Sequence, residues 1–330
     1  PIKKHGEHDQ SSHGNWAHGG ETIDAMNEAD IARRAGMIAR GDIPSMPKDA
    51  QGRIINPDAT GGYKAGIPEK VTFAGTEFTP NDSLWHHLVY NDKGQIVPSQ
   101  ERALLHQQII GEVTSKAPVS GNPTFFMLGG GPASGKTTLL KSGFTDVPDK
   151  TKAVHVNADD CKEMLPENNR MRFSSVDGDF FNAAAFVHEE SSILAKRIQT
   201  KAISNGQDIV LDGTGDSAVA KLATKVEQAR QAGYKVNGVY ATVPTAMAWE
   251  RAVNRAFGDT RRYVPKSVVE VTHSDVSKTL PLAINSGLFD KVSLWDTSSQ
   301  TPRLIGEGSR KTFNPVDKQG WADFKAKAEK

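Results

Sequence analysis

The chain has 330 residues, of which 37% are hydrophobic and 24% are charged, proportions that are ordinary for a globular protein. Forty basic residues oppose 39 acidic ones, and the net charge of +1 gives no general attraction to nucleic acid. No apolar run reaches the roughly 18 residues that a membrane span needs, and the single cysteine, Cys161, excludes an internal disulfide framework. We therefore expect a cytoplasmic protein with no membrane partner and no specific nucleic-acid partner.

Residues 1–97 differ from the rest of the chain, because Gly, Pro, Asp and Asn are scattered through them and apolar periodicity is weak. We expect an N-terminal extension that is partly disordered, with one helix over residues 21–41 that ends at Gly41. Four histidines crowd its beginning, His5, His8, His13 and His18. They have no cysteine partner and no predicted helix to hold them, so a flexible polar tail is favoured over a metal site.

From residue 98 onward, strands and helices alternate. An amphipathic helix over residues 98–116, with Ser99 as its N-cap, precedes several short apolar runs. The predicted strands are TFFMLG (124–129), AVHVN (153–157), DIVLDG (208–213), KVNGVYATV (235–243) and KVSLWDT (291–297). Helical segments lie between and after them, at residues 180–206, 217–233, 244–258 and 265–287. Such alternation predicts a parallel sheet that is covered by helices on both faces.

The segment after the first of these strands reads GGPASGKT, residues 130–137, and matches G-x-x-x-x-G-K-[ST] at every fixed position. In this motif the glycines let backbone N–H groups close around phosphate oxygens. Lys136 would reach the β- and γ-phosphates of ATP, and Thr137 would offer its hydroxyl to Mg²⁺. The predicted nucleotide-binding residues are Gly130, Gly131, Pro132, Ala133, Ser134, Gly135, Lys136, Thr137 and Thr138.

A strand before this loop and a helix after it are the context that the motif needs. The fold prediction is therefore α/β, a P-loop NTPase-type parallel sheet of about five strands flanked by helices, with an irregular N-terminal extension. We place this domain at residues 98–305, followed by a C-terminal tail or helix at 306–330. Because the alternating elements begin near residue 98, we expect the domain to work without residues 1 to about 95.

Acidic residues follow two of the predicted strands. Asp212 precedes a Gly-Thr-Gly turn, and it could hold Mg²⁺ or cap that turn. Asn157, Asp159 and Asp160 follow the second strand, where the carboxyl edge of an open α/β sheet faces its ligand. One of the two aspartates could accept a proton from an acceptor hydroxyl, while the other serves the start of the next helix.

The segment WERAVNRAFGDTRRYVPKS carries the arginines Arg251, Arg255, Arg261 and Arg262. Guanidinium groups can stabilise the charge of a transferring phosphoryl group. Charged runs usually face solvent, which we expect of about two of these arginines. Arg251 and Arg255 are four residues apart and therefore share one side of the predicted helix.

Together these motifs resemble the zeta toxin family, which includes UDP-N-acetylglucosamine kinases. The likeness runs in the family's order through SQERALLHQQII, GGGPASGKTT, VNADDCKEMLP, DIVLDGTG, RRYVPK and NSGLFDKVSLWDT, over roughly residues 98–300. The resemblance implies an ATP- and Mg²⁺-dependent kinase that phosphorylates the 3′-hydroxyl of a UDP-amino sugar. Such a reaction would block the supply of cell-wall precursors in the cytoplasm of a bacterial host.

Carried over by motif, the implied catalytic residues are Lys136, Asp159, Arg251 and Arg262, and the implied magnesium ligands are Thr137 and Asp212. Asp159 would be the general base, and Asp212 stands where family members often carry Glu. Arg251 and Arg262 would be the first and second phosphate clamps. Arg255 is a rival for the first role, because the spacing between the other two is shorter here than in the family.

The N-terminal segment KKHGEHDQSSHGNWA resembles a short stretch of phage head-morphogenesis proteins. It implies a kinase that is associated with a virion, with an unstructured leader as an equal alternative. The implied partners are thus a UDP-amino-sugar substrate and either an antitoxin or a phage capsid protein. Two other functions stay open: a P-loop kinase for another metabolite or a nucleic-acid end, and a non-catalytic virion component that binds nucleotide. The near-neutral charge disfavours a polynucleotide substrate.

Overall fold

The computed structural model describes residues 26–50, 52, 54, 66–214 and 218–329. The histidines at positions 5, 8, 13 and 18 and the phage-like segment lie outside these ranges. The helix predicted over residues 21–41 is confirmed as α1 (Glu28–Arg40), which begins after the N-cap Asn27 and ends at Gly41 in the left-handed conformation. Within the described ranges, no helix has the length and apolar character that a membrane crossing requires.

The remaining elements follow in chain order. Up to residue 172 they are β1 (Val71–Phe73), β2 (Thr76–Phe78), a 3₁₀ helix (Ser83–His87), β3 (Leu88–Tyr90), β4 (Ile96–Pro98), α2 (Gln100–Ser115), β5 (Thr124–Gly129), α3 (Lys136–Lys141), β6 (Val154–Asn157), α4 (Ala158–Glu163) and α5 (Pro166–Arg172). Beyond it they are α6 (Asp177–Phe186), α7 (His188–Ser204), β7 (Ile209–Asp212), α8 (Val219–Gln231), β8 (Lys235–Thr242), α9 (Thr245–Ala256), α10 (Lys266–Ser286), β9 (Lys291–Asp296), β10 (Arg303–Ser309), β11 (Thr312–Pro315), α11 (Lys318–Ala326) and a second 3₁₀ helix (Lys327–Glu329).

In the described part of the chain, seven strands form the central sheet in the order β11-β10-β9-β8-β5-β7-β6. The five predicted strands, β5 to β9, are its parallel part, which confirms the α/β prediction. In the register of this sheet, Asp212 of β7 lies between Leu128 of β5 and Asn157 of β6. The carboxyl ends of these three strands therefore meet at one edge, directly below the P-loop.

Strand β5 lies between β8 and β7 in the sheet, and its side chains are buried accordingly. Five of its six residues are buried, as expected of a parallel strand that is covered on both faces. Phe125 and Met127 belong to the larger hydrophobic cluster, while Phe126 and Leu128 belong to a second cluster that includes Leu139 of α3. The P-loop thus follows a strand whose two faces both pack in hydrophobic clusters.

Two predicted features differ from the structure. The single helix expected over residues 180–206 is broken at Val187, so that α6 and α7 follow each other directly. The boundary expected at residue 305 lies inside β10, which pairs antiparallel with β9 and with β11. The C-terminal segment therefore extends the sheet before it ends in the predicted helix, α11.

Residues 66–98 form a more ordered unit than the scattered glycines and prolines suggested. Two antiparallel hairpins enclose a small core in which Phe78, Leu84 and Trp85 are fully buried. Ile193 of α7 belongs to the same cluster. The second half of the N-terminal extension is thus attached to the larger domain through apolar packing.

A buried ionic network strengthens this attachment. The Glu190 carboxylate of α7 accepts hydrogen bonds from Ser83 Oγ at 2.6 Å and from Arg102 Nε at 2.6 Å. Arg102 also donates to Glu167 at 2.9 Å, and Glu167 pairs with His87. Burial opposes ionisation of Glu190, but Arg102 outweighs it and lowers the pKa of this carboxyl below its usual range. The network joins the N-terminal unit to α2, α5 and α7.

Helix α1 attaches to the domain at a second place, α6. Arg34 of α1 donates to the Asp177 carboxylate at 2.9 Å and to the Ser174 carbonyl at 2.8 Å. Its guanidinium carbon lies 4.1 Å from the centroid of the Phe180 ring. After the helix, Met46 is buried in the main hydrophobic cluster.

Candidate active site

Residues 130–135 form the turn between β5 and α3, and both fixed glycines of the motif are required there for steric reasons. Gly130 has a φ of +136° and Gly135 a φ of +85°, a region that favours glycine. A Cβ atom on Gly130 would lie 2.4 Å from the carbonyl oxygen of Ala241. A Cβ atom on Gly135 would lie 2.5 Å from Thr297 Oγ1. Neither position has room for a side chain.

Helix α10 packs against the P-loop through His273. His273 is 3% exposed, and its Nε2 donates to the Pro132 carbonyl at 3.0 Å. Burial lowers the pKa of His273 to about 4, so the ring is neutral at pH 7. A Cβ atom on Gly131 would lie 2.3 Å from Cδ2 of this ring. His273 was not singled out in the sequence, because no local spacing connects it with the motif.

The loop presents polar groups that suit phosphate oxygens. Lys136 Nζ turns back over the loop, donating to the Gly130 carbonyl at 2.8 Å and lying 3.8 Å from Asp212 Oδ1. The buried hydroxyl of Ser134 has no hydrogen-bond partner among the described residues. Buried polar groups are normally satisfied, so a ligand that accepts hydrogen bonds here would complete the loop.

The surroundings of Asp212 fit a magnesium ion that arrives with a nucleotide, and the P-loop motif makes Thr137 the expected second ligand. Burial raises the pKa of Asp212, Lys136 lowers it, and the neighbouring Asp159 and Asp160 raise it again. A carboxylate in such surroundings gains stability from a bound cation. Within the described ranges, no group of three or more His, Cys, Asp or Glu residues could hold a metal by itself. Mg²⁺ commonly takes only one or two protein oxygens, with phosphates and water completing its shell.

The Asp159 carboxylate pairs with a cation on each oxygen. Oδ1 lies 3.2 Å from Lys162 Nζ, and Oδ2 lies 3.1 Å from Arg262 Nη1. Burial alone would raise the pKa of this carboxyl, but Arg262, Lys162 and Arg255 outweigh it and hold the pKa at about 2. The side chain is nevertheless 41% exposed. Asp159 is thus ionised at neutral pH and accessible to a ligand.

The N-cap of α4 is Asn157, not one of the two aspartates that follow it. Asn157 Oδ1 accepts a hydrogen bond from the Asp159 backbone N–H at 2.8 Å. Asp160 lies in the first turn of the helix and pairs with the exposed Lys150 at 2.9 Å. The expectation that one aspartate serves the helix start agrees with the position of Asp160 in the first turn, while Asn157 provides the cap. Neither aspartate side chain is committed to the cap.

The structure separates the arginines into two places. Arg262 contacts Asp159, and Arg255, which is partly buried, interacts electrostatically with both of them. Burial lowers the pKa of Arg255, and the nearby Arg262 lowers it further. Arg251 instead donates to the Thr297 carbonyl at 2.9 Å, in the loop between β9 and β10. The first clamp assigned by resemblance, Arg251, is thus outside the charged cluster, and its rival Arg255 is inside it.

A small cavity opens beside Asp159, between α4, α5, α6 and the loop after α9. Its charged lining residues are Asp159, Lys162, Glu163, Arg172, Arg261 and Arg262. Cations therefore outnumber acids around it. Arg172 Nη1 donates to the Thr260 carbonyl at 3.1 Å, but its buried Nε has no hydrogen-bond partner among the described residues. Its volume is about 10 Å³, which is room for about one water molecule, so the residues around it form an electropositive surface beside Asp159 and not a pocket for a whole ligand.

Sequence reasoning missed Lys162 and Arg172. Lys162 stands three residues after Asp159 on α4, a spacing that brings two side chains together on a helix and could have revealed it. Arg172 meets the loop after α9 across 88 residues of sequence, so no local pattern pointed to it. A contact between residues so far apart in the sequence becomes visible only in the folded structure.

A family model described as Zeta toxin matches residues 109–302, which is more than half of the chain. The chain belongs to the zeta toxin family. The matched range contains the P-loop, Asp159, Asp212 and Arg262, so the resemblance carried by those motifs is confirmed. The phage-like resemblance concerns residues outside that range and stays a prediction.

Curated relatives agree with this assignment. Toxin zeta of Enterococcus hirae and toxin zeta of Streptococcus pyogenes are each 23% identical to this chain over 197 residues, which is 56% of the chain and 66% of either relative. A calmodulin calcium-dependent NAD kinase of Arabidopsis thaliana is 30% identical over 104 residues. That match covers 30% of the chain but only 20% of the plant protein. The chain thus spans between one fifth and two thirds of the length of these relatives.

Solved structures share the zeta toxin fold described above. AvrRxo1-ORF1 in complex with AvrRxo1-ORF2 and sulphate ions aligns with a TM-score of 0.57 and 20% identity, over 69% of this chain and 73% of that chain. A structure of the PezAT chromosomal toxin-antitoxin system of Streptococcus pneumoniae aligns with a TM-score of 0.52 and 12% identity, over 72% of this chain and 96% of that chain. At these identities the likeness is one of fold alone.

Proposed function

We propose that this member of the zeta toxin family is an ATP-dependent kinase that phosphorylates the 3′-hydroxyl of a UDP-amino sugar such as UDP-N-acetylglucosamine. The observation that carries the proposal is the ionised, accessible Asp159, which lies between Lys162 and Arg262 next to the P-loop. Asp212 connects the two features, because it interacts with both Lys136 and Asp159. A protein that only binds nucleotide needs the loop, but it needs no carboxylate and arginine pair facing it.

In this reaction the acceptor hydroxyl gives its proton to Asp159 while its oxygen attacks the γ-phosphorus of ATP. The bond between the γ-phosphorus and the β-phosphate oxygen breaks, and ADP leaves with the electron pair. Lys136, Arg255 and Arg262 stabilise the negative charge that spreads over the transferring group. Magnesium, when held by Thr137 and Asp212, would neutralise charge on the β- and γ-phosphates.

The cationic side chains beside Asp159 support an acceptor that carries phosphate. A UDP-sugar has a diphosphate, whose negative charge the guanidinium groups of Arg261 and Arg262 could offset. NAD also contains a diphosphate, and the plant relative that is 30% identical is named an NAD kinase. NAD is therefore the second candidate acceptor. A neutral sugar would offer these cations no negative charge.

Solved relatives also support a proposal about partners. The AvrRxo1 structures are complexes of ORF1 with ORF2, one of them with ATP, and PezAT is named a toxin-antitoxin system. We infer that this chain binds ATP, acts on a precursor in the bacterial cytoplasm and is restrained by an antitoxin. A phage capsid partner remains the alternative for the N-terminal segment.

ATP consumption measured against a panel of acceptors tests the proposal. The panel contains UDP-N-acetylglucosamine, UDP-glucose, NAD, free N-acetylglucosamine and an oligonucleotide with a 5′-hydroxyl end. We expect the UDP-amino sugar to be phosphorylated fastest and free N-acetylglucosamine to be poor. Fast phosphorylation of the free sugar would contradict the proposed role of the cations beside Asp159 in binding a diphosphate.

A further inference from the structure

Lys162 contacts the Asp159 carboxylate, but it has no role in the reaction proposed above. Its side chain is only 10% exposed, although lysine is rarely buried, and its ammonium group lies 3.2 Å from Asp159 Oδ1. It is the helix neighbour of Asp159, three residues further along α4. The other carboxylate oxygen, Oδ2, pairs with Arg262, which comes from the separate loop after α9. The two oxygens are thus held by cations from different elements.

We propose that Lys162 is a positioning residue, which holds Oδ1 of Asp159 so that Oδ2 is the oxygen that accepts the proton of the acceptor hydroxyl. The inference rests on the proposed kinase function. Lys162 and Asp159 belong to the same short helix, so the helix itself keeps the two side chains close. Arg262 is the cation that can exchange partners, because the γ-phosphate of ATP competes with Oδ2 for its guanidinium.

The proposed reaction breaks two bonds and forms two. The acceptor O–H bond breaks, its proton bonds to Oδ2, and its oxygen forms the new bond to the γ-phosphorus of ATP. The bond from that phosphorus to the β-phosphate oxygen breaks, and ADP takes the electron pair. Asp159 later returns the proton to water. Throughout, Lys162 stays paired with Oδ1 and takes no part in the proton transfer.

Other charged groups also face Asp159 and set the direction of the expected pH effect. They are Arg262 and Arg255 from α9 and its following loop, Asp212 at the end of β7, Lys162 on α4, and His188 at the start of α7. Burial raises the pKa of the Asp159 carboxyl, and the cations lower it. Removal of the Lys162 charge therefore raises the pKa of Asp159, because the effect of burial is then less opposed.

The test compares three variants. Lys162→Met removes the charge but keeps a long apolar stem, and Lys162→Arg keeps the charge. Lys150→Met is the matched control, because Lys150 forms the other lysine–aspartate pair of α4, with Asp160 at 2.9 Å, and is largely exposed. Thermal unfolding of each variant shows whether the fold is retained.

We expect Lys162→Met to lower kcat at neutral pH by at least about tenfold, a part of the 10²–10⁴ that a general base contributes, with KM for ATP within about twofold. Lys162→Arg should recover most of this loss, and Lys150→Met should stay within about twofold of the parent chain. The acidic limb of the pH profile of kcat should move to higher pH in Lys162→Met alone.

A second readout does not depend on turnover. The ¹³C resonance of the Asp159 carboxyl, assigned with Asp159→Asn, should titrate at higher pH in Lys162→Met than in the parent chain or in Lys150→Met. An unchanged titration, or full kcat in Lys162→Met, would overturn the inference. If the parent chain phosphorylates none of the panel, the proposed function fails, and the carboxyl titration still decides whether Lys162 controls Asp159.

Discussion

At the scale of single residues, the two aspartates at the start of α4 have different surroundings. Asp159 faces Lys162 and Arg262, whereas Asp160 pairs with the exposed Lys150. Asp159→Asn should therefore lower kcat for phosphotransfer by about 10²–10⁴, the contribution of a general base. ATP affinity should be nearly unchanged, since Asn157 and not Asp159 caps the helix.

The matched control for this prediction is Asp160→Asn, which we expect to keep kcat within a few-fold of the parent value. Steady-state rates and ATP titration of both variants make the comparison. Equal losses in the two variants would mean that the charge of the helix start matters and that Asp159 has no special role.

The arginines give a second prediction at this scale. Arg255 and Arg262 lie in the charged cluster around Asp159, whereas Arg251 binds the Thr297 carbonyl. Arg255→Met should lower kcat by about 10³ or more, as loss of an arginine that stabilises the transition state does. Arg251→Met should cost about 1 kcal/mol of unfolding free energy through its lost hydrogen bonds, with a small effect on kcat. Single-turnover kinetics and urea unfolding separate these outcomes, and the reverse ranking would restore Arg251 as the clamp.

The sequence identified most of these residues, because they sit in short motifs. The P-loop residues, Asp159 and Asp212 each stand at the end of a predicted strand, where local pattern and the rule for open sheets agree. The choice between Arg251 and Arg255 could not be made from the sequence. Both lie on one side of α9. Only the position of the loop after β9 shows that Arg251 is the one that donates a hydrogen bond to a backbone carbonyl.

At the scale of elements, the P-loop depends on two supports that are distant in sequence. His273 of α10 holds the Pro132 carbonyl, and Thr297 Oγ1 donates to the Ser134 carbonyl at 2.5 Å. Both supports approach glycine positions so closely that a Cβ atom would collide with them. The conformation of the loop is thus set by α10 and by the end of β9, and not by its own sequence alone.

Gly131→Ala should therefore weaken ATP binding by at least about tenfold, since its Cβ would lie 2.3 Å from the His273 ring and displace the loop. The double variant Gly131→Ala with His273→Ala should recover part of the loss, because it removes the colliding ring. Gly111→Ala is the control: Gly111 lies in α2, its Cβ would meet nothing within 4 Å, and helix propensity favours alanine. ATP titration by calorimetry measures all three, and an unaffected Gly131→Ala would show that α10 does not shape the loop.

The five parallel strands were predictable because each is a short apolar run between helical segments. Strand β10 was not, because Gly306 and Gly308 interrupt its apolar pattern. Gly306 is needed there, since its Cβ would lie 2.7 Å from the Phe313 ring of β11. The break between α6 and α7 was also missed, because apolar spacing continues through Val187 while the backbone does not.

At the scale of the whole molecule, the N-terminal unit and the kinase domain share a core. Ile193 of α7 packs in the N-terminal cluster, Met46 packs in the main one, and Glu190 accepts a hydrogen bond from Ser83. These contacts join residues more than 100 positions apart, so composition alone could not reveal them. The expectation that the domain works without residues 1 to about 95 loses its support here.

A chain that begins at residue 98 should be less stable than the parent by at least about 2 kcal/mol, because Glu190 and Glu167 each lose a donor and Ile193 loses its cover. Loss of α1 should add to this deficit, since Arg34 no longer holds α6. Urea unfolding and phosphotransfer assays of this truncation test the prediction. The control begins at residue 26 and keeps every contact described above. Equal stability of the two truncations would show that the N-terminal unit is dispensable.

The central claim is that the site around Asp159 transfers the γ-phosphate of ATP to an alcohol of a diphosphate-linked acceptor. The most direct measurement incubates the parent chain with UDP-N-acetylglucosamine and ATP-Mg²⁺ and follows the acceptor by mass spectrometry and ³¹P NMR. We predict a product heavier by one phosphate, with that phosphate on the 3′-hydroxyl of the sugar and one ADP formed for each product molecule. A chain that binds ATP tightly, yet phosphorylates neither this acceptor nor NAD, would contradict the account.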